Sequence, residues 1–240
     1  MNDFVEINGA SLAYRLCGPD GGPLIITLHG GRGMVDDIEG IRQHFAGDKD
    51  QVIVCGGSFG GFLAQQYAIK YASKVSHLIL RGTAASHHHE DAAIEVLKQR
   101  LNRAPSFSVE MLRDKVFGVF ESDLEFRLVH LAMLPLYSEK FDANAGLRSC
   151  LDNTYNSEAH NDLYSESEKY FDYRNDLHRI TAKTLVIVGD KDWICPLGNS
   201  ELIASKIPDA HLFVVENANH SVHIERNEEV LSRIRAHLMP

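Results

Sequence analysis

The sequence predicts an α/β fold in which a mostly parallel sheet is interrupted by a helical insertion. Short apolar segments alternate with helical patterns over residues 23–81 and again over 184–238, the order expected of parallel strands joined by crossover helices. Residues 87–178 between them carry helical patterns and no convincing strand. A chain of 240 residues fits one domain with an inserted subdomain. We therefore predict a core of residues 1–86 and 179–240 and a helical cap of residues 87–178.

The elements before the insertion are predicted from turn signals and apolar spacing. Asn8-Gly9 is a hairpin turn signal between two short strands. A continuous apolar run that ends in glycine predicts a buried strand, and helical spacing stopped by Gly47 predicts the first helix. The predicted elements are strands at 3–7, 11–17, 23–30, 51–55 and 76–81 and helices at 36–45 and 60–72.

Strand–helix alternation resumes after the insertion. Two further apolar runs predict core strands, and each is followed by a helical pattern. The predicted elements are strands at 184–190 and 211–217, a helix near 198–206 and a terminal helix to about 238.

The composition indicates a cytoplasmic protein that acts on a small molecule. A net charge of −9 without a basic block argues against nucleic acid as a partner. No apolar run reaches the length of about 18 residues needed to span a membrane, and the amino terminus lacks a signal-peptide pattern. The four cysteines lack paired spacing, which predicts reduced thiols: Cys17, Cys55, Cys150 and Cys195.

Four glycines surround Ser58 where a predicted strand passes into a helix. Residues 56–60 read Gly-Gly-Ser-Phe-Gly, and a G-x-S-x-G in this context lifts the serine hydroxyl above the sheet on a strained turn. Glycine inside regular structure costs stability, so the cluster needs a geometric reason. Packing alone is one such reason. A nucleophilic serine is the other, and it requires a base and an orienting acid.

Residues suited to both roles follow later strands in the order Ser, Asp, His. Asp192 lies in the loop after strand 184–190, and His220 lies after strand 211–217. This chain order is typical of α/β hydrolases rather than of the serine proteases. Asp190 and His223 are the competing candidates for the acid and the base.

The chain resembles an α/β-hydrolase of the proline iminopeptidase branch of serine peptidases. The matching segments are "LHGGRG" (28–33), "GGSFGG" (56–61), "LILRGTA" (78–84), "DWICP" (192–196) and "NHSVHIE" (219–225). The resemblance implies a triad of Ser58, Asp192 and His220, an oxyanion hole formed by the backbone N–H groups of Gly31 and Phe59, and no metal or cofactor. The branch also includes esterases and tailoring hydrolases of fungal secondary metabolism.

Two departures from the branch bear on specificity. Arg32 stands where the branch has proline, and Phe59 stands where it has tryptophan. We therefore expect cleavage of a carboxylic ester or amide of a small molecule through an acyl-enzyme, with esters preferred. The alternatives are a proline iminopeptidase-type aminopeptidase and a non-catalytic protein on a truncated hydrolase scaffold.

A segment of the family pattern is missing after Gly33. Residues 34–57 provide one crossover helix before Ser58, whereas the family has two helices and a further strand there. A strand–helix pair of this size corresponds to roughly forty residues. In the family sheet the missing strand lies between the amino-terminal hairpin and strand 23–30. Its absence predicts a gap or a new pairing at that place.

Two groups in the predicted cap have competing interpretations. His87-His88-His89 is either a metal site or part of the cap entrance near the substrate, although consecutive side chains point in different directions. The acidic residues Glu90, Asp91 and Glu95 either bind a substrate ammonium or form a solvated helix face.

Overall fold

The structure is a computed structural model that describes residues 3–18, 21–28, 35–47 and 51–239. Five parallel strands form its main sheet in the spatial order β3-β4-β5-β6-β7. A separate antiparallel hairpin, β1-β2, precedes them in the chain. The strands are β1 Asp3–Ile7, β2 Ala10–Tyr14, β3 Ile25–Leu28, β4 Val52–Gly57, β5 Val75–Arg81, β6 Lys183–Gly189 and β7 Ala210–Val215.

Helices join the strands and make up the insertion. The α-helices are α1 Val35–Ala46, α2 Phe59–Lys70, α3 His89–Arg100, α4 Val109–Met111, α5 Asp123–Met133, α6 Ala143–Asp152, α7 Ser157–Leu163, α8 Leu197–Lys206, α9 Val222–Glu225 and α10 Asn227–Leu238. Short 3-10 turns occur at Ala72–Lys74, Leu101–Arg103, Leu134–Leu136 and Leu177–Arg179, and a π-helical turn occurs at Leu112–Val116. In the part of the chain that the structure describes, no helix is long and apolar enough to cross a bilayer.

The sheet is covered on both faces, which explains its continuous apolar strands. Alternate residues of the interior strand β6 enter opposite layers. Val186 packs with residues of α2 and α8, whereas Leu185 and Ile187 pack with α9 and α10. All three side chains are fully buried.

The insertion has its own apolar core and is closed at its base. Its two ends are joined by hydrogen bonds from His87 N to Phe171 O (3.0 Å) and from Tyr173 N to Ala85 O (2.8 Å). Its core also takes in Trp193 from the loop after β6. The insertion therefore packs directly on the loop that carries the predicted acid.

The order of strands and helices agrees with the prediction, and the differences lie at element ends. Strand 11–17 was predicted too long. It ends at Tyr14, because Tyr14 pairs with Asp3, the first described residue of the partner strand. Strand 23–30 begins only at Ile25, since Pro23 has no N–H to donate, and its predicted end at 29–30 lies outside the described residues. The predicted terminal helix is divided into α9 and α10.

The hairpin is not paired with the main sheet in the described residues. It lies against α1, where Asn8 Nδ2 donates to Asp37 Oδ1 (2.9 Å). Ile7 packs on Gly40 of α1, and a Cβ added to Gly40 would lie 2.3 Å from Ile7 Cγ2. Strand β3 bonds β4 on one side only. Of the two predicted outcomes, a gap or a new pairing, the described residues show a gap.

Candidate active site

Ser58 occupies a strained turn between β4 and α2. Its backbone has φ 53° and ψ −126°, which a residue with a side chain rarely adopts and which costs about 1–3 kcal/mol. Three hydrogen bonds hold this conformation. Ser58 N donates to Arg81 O (2.9 Å), and Ser58 O accepts from Gly61 N (2.9 Å) and Thr83 Oγ1 (2.8 Å). The sequence thus forms the turn that its motif predicts.

Three of the four glycines around Ser58 have no room for a side chain. A Cβ on Gly56 would lie 2.2 Å from the carbonyl oxygen of Gly60. A Cβ on Gly57 would lie 2.2 Å from the Arg81 guanidinium, and one on Gly61 would lie 2.4 Å from Thr83 Oγ1. The turn is therefore packed tightly against the end of β5.

Asp192 and His220 form a buried hydrogen-bonded pair. His220 Nδ1 lies 2.9 Å from Asp192 Oδ2 and 3.1 Å from Oδ1. Oδ1 also accepts from Ile194 N (3.1 Å) and Cys195 N (2.9 Å), and the Asp192 side chain is fully buried. An ionised carboxylate only accepts, so the imidazole proton lies on Nδ1. In that tautomer Nε2 is the proton acceptor.

The end of β5 brings the serine and the Asp192–His220 pair to one place. Arg81 O holds the backbone of Ser58, and the next residue is Gly82. A Cβ on Gly82 would lie 2.9 Å from Asp192 Oδ2 and 3.2 Å from His220 Nδ1. All three predicted residues thus lie at the carboxyl edge of the sheet, where open α/β sheets bind ligands.

Asp190 and His223, the competing candidates, have other partners. Asp190 Oδ1 accepts from Ala218 N (3.3 Å), and its Oδ2 lies 3.1 Å from Lys191 Nζ. His223 Nδ1 accepts from the Arg81 guanidinium at 2.7 Å. Burial and the charge of Arg81 lower the pKa of His223 to about 4. The structure pairs His220, and not His223, with a carboxylate.

Of the two predicted oxyanion donors, Phe59 lies within the described residues. Phe59 is the first residue of α2, a position whose backbone N–H has no acceptor within its own helix. Gly31 lies outside the described residues.

The sequence of the chain matches the α/β hydrolase fold family over residues 29–227. The chain belongs to the α/β-hydrolase family. It is 63% identical to the proline iminopeptidase PfmaB of Pestalotiopsis fici, with 99% of each chain covered. It is 30% identical to a poly(3-hydroxyalkanoate) depolymerase of Ectopseudomonas oleovorans, over 76% of this chain and 59% of that protein, and 28% identical to a proline iminopeptidase of Flavobacterium johnsoniae, over 70% and 58%.

Solved structures agree with the hydrolase fold. VinJ superposes with a TM-score of 0.73 at 16% identity, over 99% of this hydrolase and 98% of that chain. An α/β fold family hydrolase from Bacillus anthracis superposes with a TM-score of 0.65 at 22% identity, over 85% and 72%. At these identities the likeness concerns the fold alone.

The alignment with PfmaB also bears on the missing segment. It runs over 279 positions, whereas this hydrolase has 240 residues, so at least 39 positions (279 less 240) have no residue of this chain opposite them. That number agrees with the roughly forty residues of one strand–helix pair.

Several residues around the pair were not predicted from the sequence. Asn219 is fully buried beside His220, and Glu139 reaches it from the insertion. The Tyr137 ring meets the His220 ring edge to face, with centroids 5.3 Å apart. Glu225 lies in a segment that carries the family resemblance, but nothing local indicates its role. Glu139 is 80 residues from Asn219, so no sequence spacing relates the two.

The three consecutive histidines diverge, as their spacing predicts. His87 Nδ1 lies 3.1 Å from Phe171 O, whereas His89 Nδ1 lies 3.0 Å from Ser86 O. His89 is buried, and burial lowers its pKa to about 4, so it is neutral at pH 7. Among the described residues, no three His, Cys, Asp or Glu side chains are grouped to hold a metal ion.

Glu90, at the start of α3, is a partly buried carboxyl group. Burial, reinforced by the charge of Asp91, raises its pKa to about 7, and Lys169 opposes this only in part. Within the described part of the chain, no ion pair is formed by its side chain. A cation beside Glu90 would therefore be attracted to its carboxylate and would stabilise the ionised form.

Proposed function

We propose that this protein is a serine hydrolase that cleaves a carboxylic ester or amide bond of a small molecule. Ser58 is the nucleophile, His220 the general base and acid, and Asp192 the group that orients the imidazole. The observation that carries the proposal is the buried Asp192–His220 pair, 2.9 Å apart, beside the strained turn of Ser58. Family membership and the similarity to PfmaB support it.

The proposed reaction passes through an acyl-enzyme. Ser58 Oγ attacks the substrate carbonyl carbon while its proton passes to His220 Nε2, and Asp192 stabilises the resulting imidazolium. The oxyanion of the tetrahedral intermediate accepts from Phe59 N and, by the family resemblance, from Gly31 N. Its collapse expels the alcohol or amine, which takes the proton from His220. Water then attacks the acyl-enzyme carbonyl carbon while its proton passes to His220 Nε2, and the acyl–Oγ bond breaks as Ser58 Oγ takes that proton and the acid is released.

The proposed substrate is a small or medium carboxylic ester. Arg32 and Phe59 replace the proline and tryptophan of the iminopeptidase pattern, which argues against a dedicated prolyl site. A second candidate is cleavage of an amino-terminal proline amide. Glu90 supports it, because a partly buried carboxylate with a raised pKa suits a substrate ammonium, and PfmaB bears the name of this activity.

The first experiment tests the nucleophile with a fluorophosphonate probe, which labels an activated serine whatever the substrate. We expect the wild-type protein to be labelled and S58A not to be. H220Q should lose labelling and H223Q should retain it, because His223 accepts from Arg81 rather than from a carboxylate. Labelling of S58A at full rate would refute the assignment. An unlabelled wild-type protein would favour the non-catalytic alternative.

The two substrate classes are separated by steady-state kinetics. We expect a higher kcat/KM for p-nitrophenyl butyrate than for proline p-nitroanilide. The opposite order would establish the iminopeptidase candidate.

We also propose a cytoplasmic location. The four cysteines are all free, and Cys150 and Cys195 are buried, as expected of a protein kept in a reducing compartment. Fractionation of the source cells would test this.

A further inference from the structure

We infer that Glu139 and Asn219 are positioning residues for His220, and that the insertion thereby sets the geometry of the catalytic base. The inference rests on the proposed function. It concerns a group of four residues that we call the clamp: Tyr137 and Glu139 from the insertion, and Asn219 and Glu225 from the segment around His220. None of the four is needed as a reacting group in the mechanism above.

The clamp supplies a hydrogen-bond acceptor for each of three consecutive backbone N–H groups in the loop that carries His220. Asn219 N donates to Glu225 Oε2 (2.7 Å), His220 N donates to Asn219 Oδ1 (2.8 Å), and Ser221 N donates to Tyr137 O (2.9 Å). Three consecutive donors with fixed acceptors leave the loop little freedom to rotate. The position of the imidazole is thus set by residues on both sides of the loop.

Asn219 ties the segment of the acid to the segment of the base. Its Oδ1 accepts from His220 N and also from Trp193 N (3.3 Å), the residue next to Asp192. One amide oxygen therefore bridges the two chain segments whose side chains form the Asp192–His220 pair. Asn219 is fully buried, so water does not compete for these bonds.

Glu139 determines which way the Asn219 amide faces. Asn219 Nδ2 donates to Glu139 Oε1 at 2.7 Å. The reversed amide would place its oxygen against a carboxylate and its NH2 against two N–H donors. Only the observed orientation satisfies all of these groups. The carboxylate of Glu139 is thus what makes Oδ1 available to His220 N.

Glu139 is itself fixed within the insertion. Its Oε1 accepts from Arg103 (2.8 Å) and Arg100 (3.1 Å), and its backbone N donates to Glu225 Oε1 (2.6 Å). Burial raises the pKa of Glu139, but the hydrogen bonds from Arg103 and Asn219 outweigh burial and hold it below its ordinary value. The carboxylate is therefore ionised at neutral pH. The contact between the insertion and the base is charged and multiply hydrogen-bonded.

The clamp should affect the chemical step and not substrate binding. Because it acts on the backbone behind His220, its loss displaces the imidazole without removing a substrate contact. A displacement of about 1 Å in a catalytic group can cost on the order of 100-fold in rate. A residue needed only for folding would instead lower the fraction of active enzyme and leave the kinetics of the remainder unchanged.

The test compares E139Q with E121Q. Glutamine keeps the shape of Glu139 but lacks its charge, and it can present an NH2 to Asn219 Nδ2. Glu121 is an exposed glutamate of the same insertion, whose side chain pairs only at 3.4 Å with Lys115. For p-nitrophenyl butyrate we expect E139Q to lower kcat about 10- to 100-fold with KM within about twofold, and E121Q to match the wild type.

Two further measurements separate positioning from stability. Active-site titration with the fluorophosphonate probe counts folded sites, and kcat is expressed per labelled site. E139D, which keeps the carboxylate, should recover part of kcat. E139Q and N219A should both shift the pH dependence of kcat/KM relative to the wild type. Equal kcat per site in E139Q and E121Q, with unchanged pH profiles, would overturn the inference. If E139Q fails to fold, R103K serves in its place with the same criteria. A wild-type protein that is not labelled would instead refute the proposed function.

Discussion

At the scale of single residues, Gly82 is the point where the candidate site is most crowded. Its φ of 47° is a conformation that favours glycine, and its missing side chain faces the Asp192–His220 pair. The glycines around Ser58 are explained by their motif. Gly82 lies in the family-matching segment 78–84, but no local signal indicates its role, which depends on two segments more than 100 residues away in the chain.

Replacing Gly82 with alanine should therefore disturb the pair. The added Cβ would lie 2.9 Å from Asp192 Oδ2 and 3.2 Å from His220 Nδ1, and the positive φ would add strain of about 1–3 kcal/mol. We expect kcat for p-nitrophenyl butyrate to fall about 10- to 100-fold, measured per fluorophosphonate-labelled site.

Gly198 provides a matched control for Gly82. It lies in helix α8, and a Cβ added there would meet no atom within 4 Å. G198A should keep full activity and raise the free energy of unfolding by up to about 1 kcal/mol, since alanine favours helix. Activity of G82A equal to that of G198A would show that the pair tolerates the added methyl group.

The residues of the site differ in how far the sequence predicts them. Ser58, Asp192 and His220 each follow a strand with a recognisable apolar run, so local patterns locate them. Glu139 lies in a helical insertion without such a marker, and only the folded chain brings it to Asn219. A local sequence pattern predicts that a residue lies at a strand end. A contact between the insertion and the core depends instead on how the entire chain packs.

At the scale of elements, the start of α3 contains an energetic conflict. Glu90 lies in the first turn, where an acidic residue favours the helix, yet burial raises its pKa to about 7. In the unfolded chain its pKa is close to 4.5. The folded protein therefore binds this proton more tightly than the unfolded chain does. The stability that protonation of Glu90 contributes is fully present below pH 4.5 and is lost as pH rises through 7.

E90Q should therefore stabilise the protein more at pH 8 than at pH 5. Glutamine is neutral at both values, so the variant avoids burying a charge at pH 8. The expected gain in the free energy of unfolding at pH 8 is roughly 1–3 kcal/mol, measured by urea denaturation. E95Q on the same helix is the control, because the Glu95 side chain is largely exposed and pairs only with exposed Lys98. A gain of equal size at both pH values would contradict the assignment to burial of charge.

Element order and element bounds were not equally predictable. Apolar runs and helical spacing identified each core strand and helix of the described residues, because these patterns reflect burial on one or two faces of a sheet. The end of β2 depends instead on where its partner begins, at Asp3. Likewise, the division between α9 and α10 leaves no mark in the apolar pattern.

At the scale of the whole molecule, four histidines share one property. Each is largely buried, and burial is the main reason that its pKa is lowered to about 4: His89, His130, His160 and His223. Three of the four lie in the insertion, and the fourth adjoins the candidate site. In the unfolded chain a histidine takes up a proton near pH 6.5. The folded protein accepts these protons only near pH 4.

The protein should therefore lose stability as pH falls from about 6.5 to 4. Over that interval the unfolded chain binds more protons than the folded protein, so the contribution that is fully present above pH 6.5 disappears on acidification. Each histidine can account for up to about 3 kcal/mol, and a typical domain has only about 5–15 kcal/mol in total. We expect unfolding on acidification within this interval, measured by urea denaturation at stepped pH.

A single substitution tests whether the buried histidines cause this loss. His160 packs against the stacked rings of Phe120 and Phe126, and its Nε2 lies 3.2 Å from Lys115 O. H160Q cannot take up a proton, so its free energy of unfolding should fall less steeply between pH 6.5 and 4 than that of the wild type, whatever the cost of the substitution at pH 7. H44Q, at an exposed position on α1, is the control and should keep the wild-type slope. Equal slopes in H160Q and H44Q would mean that acid sensitivity arises from other groups. A flatter slope in H160Q alone would locate part of it in the insertion, the same part of the molecule that supplies Glu139 to the candidate site.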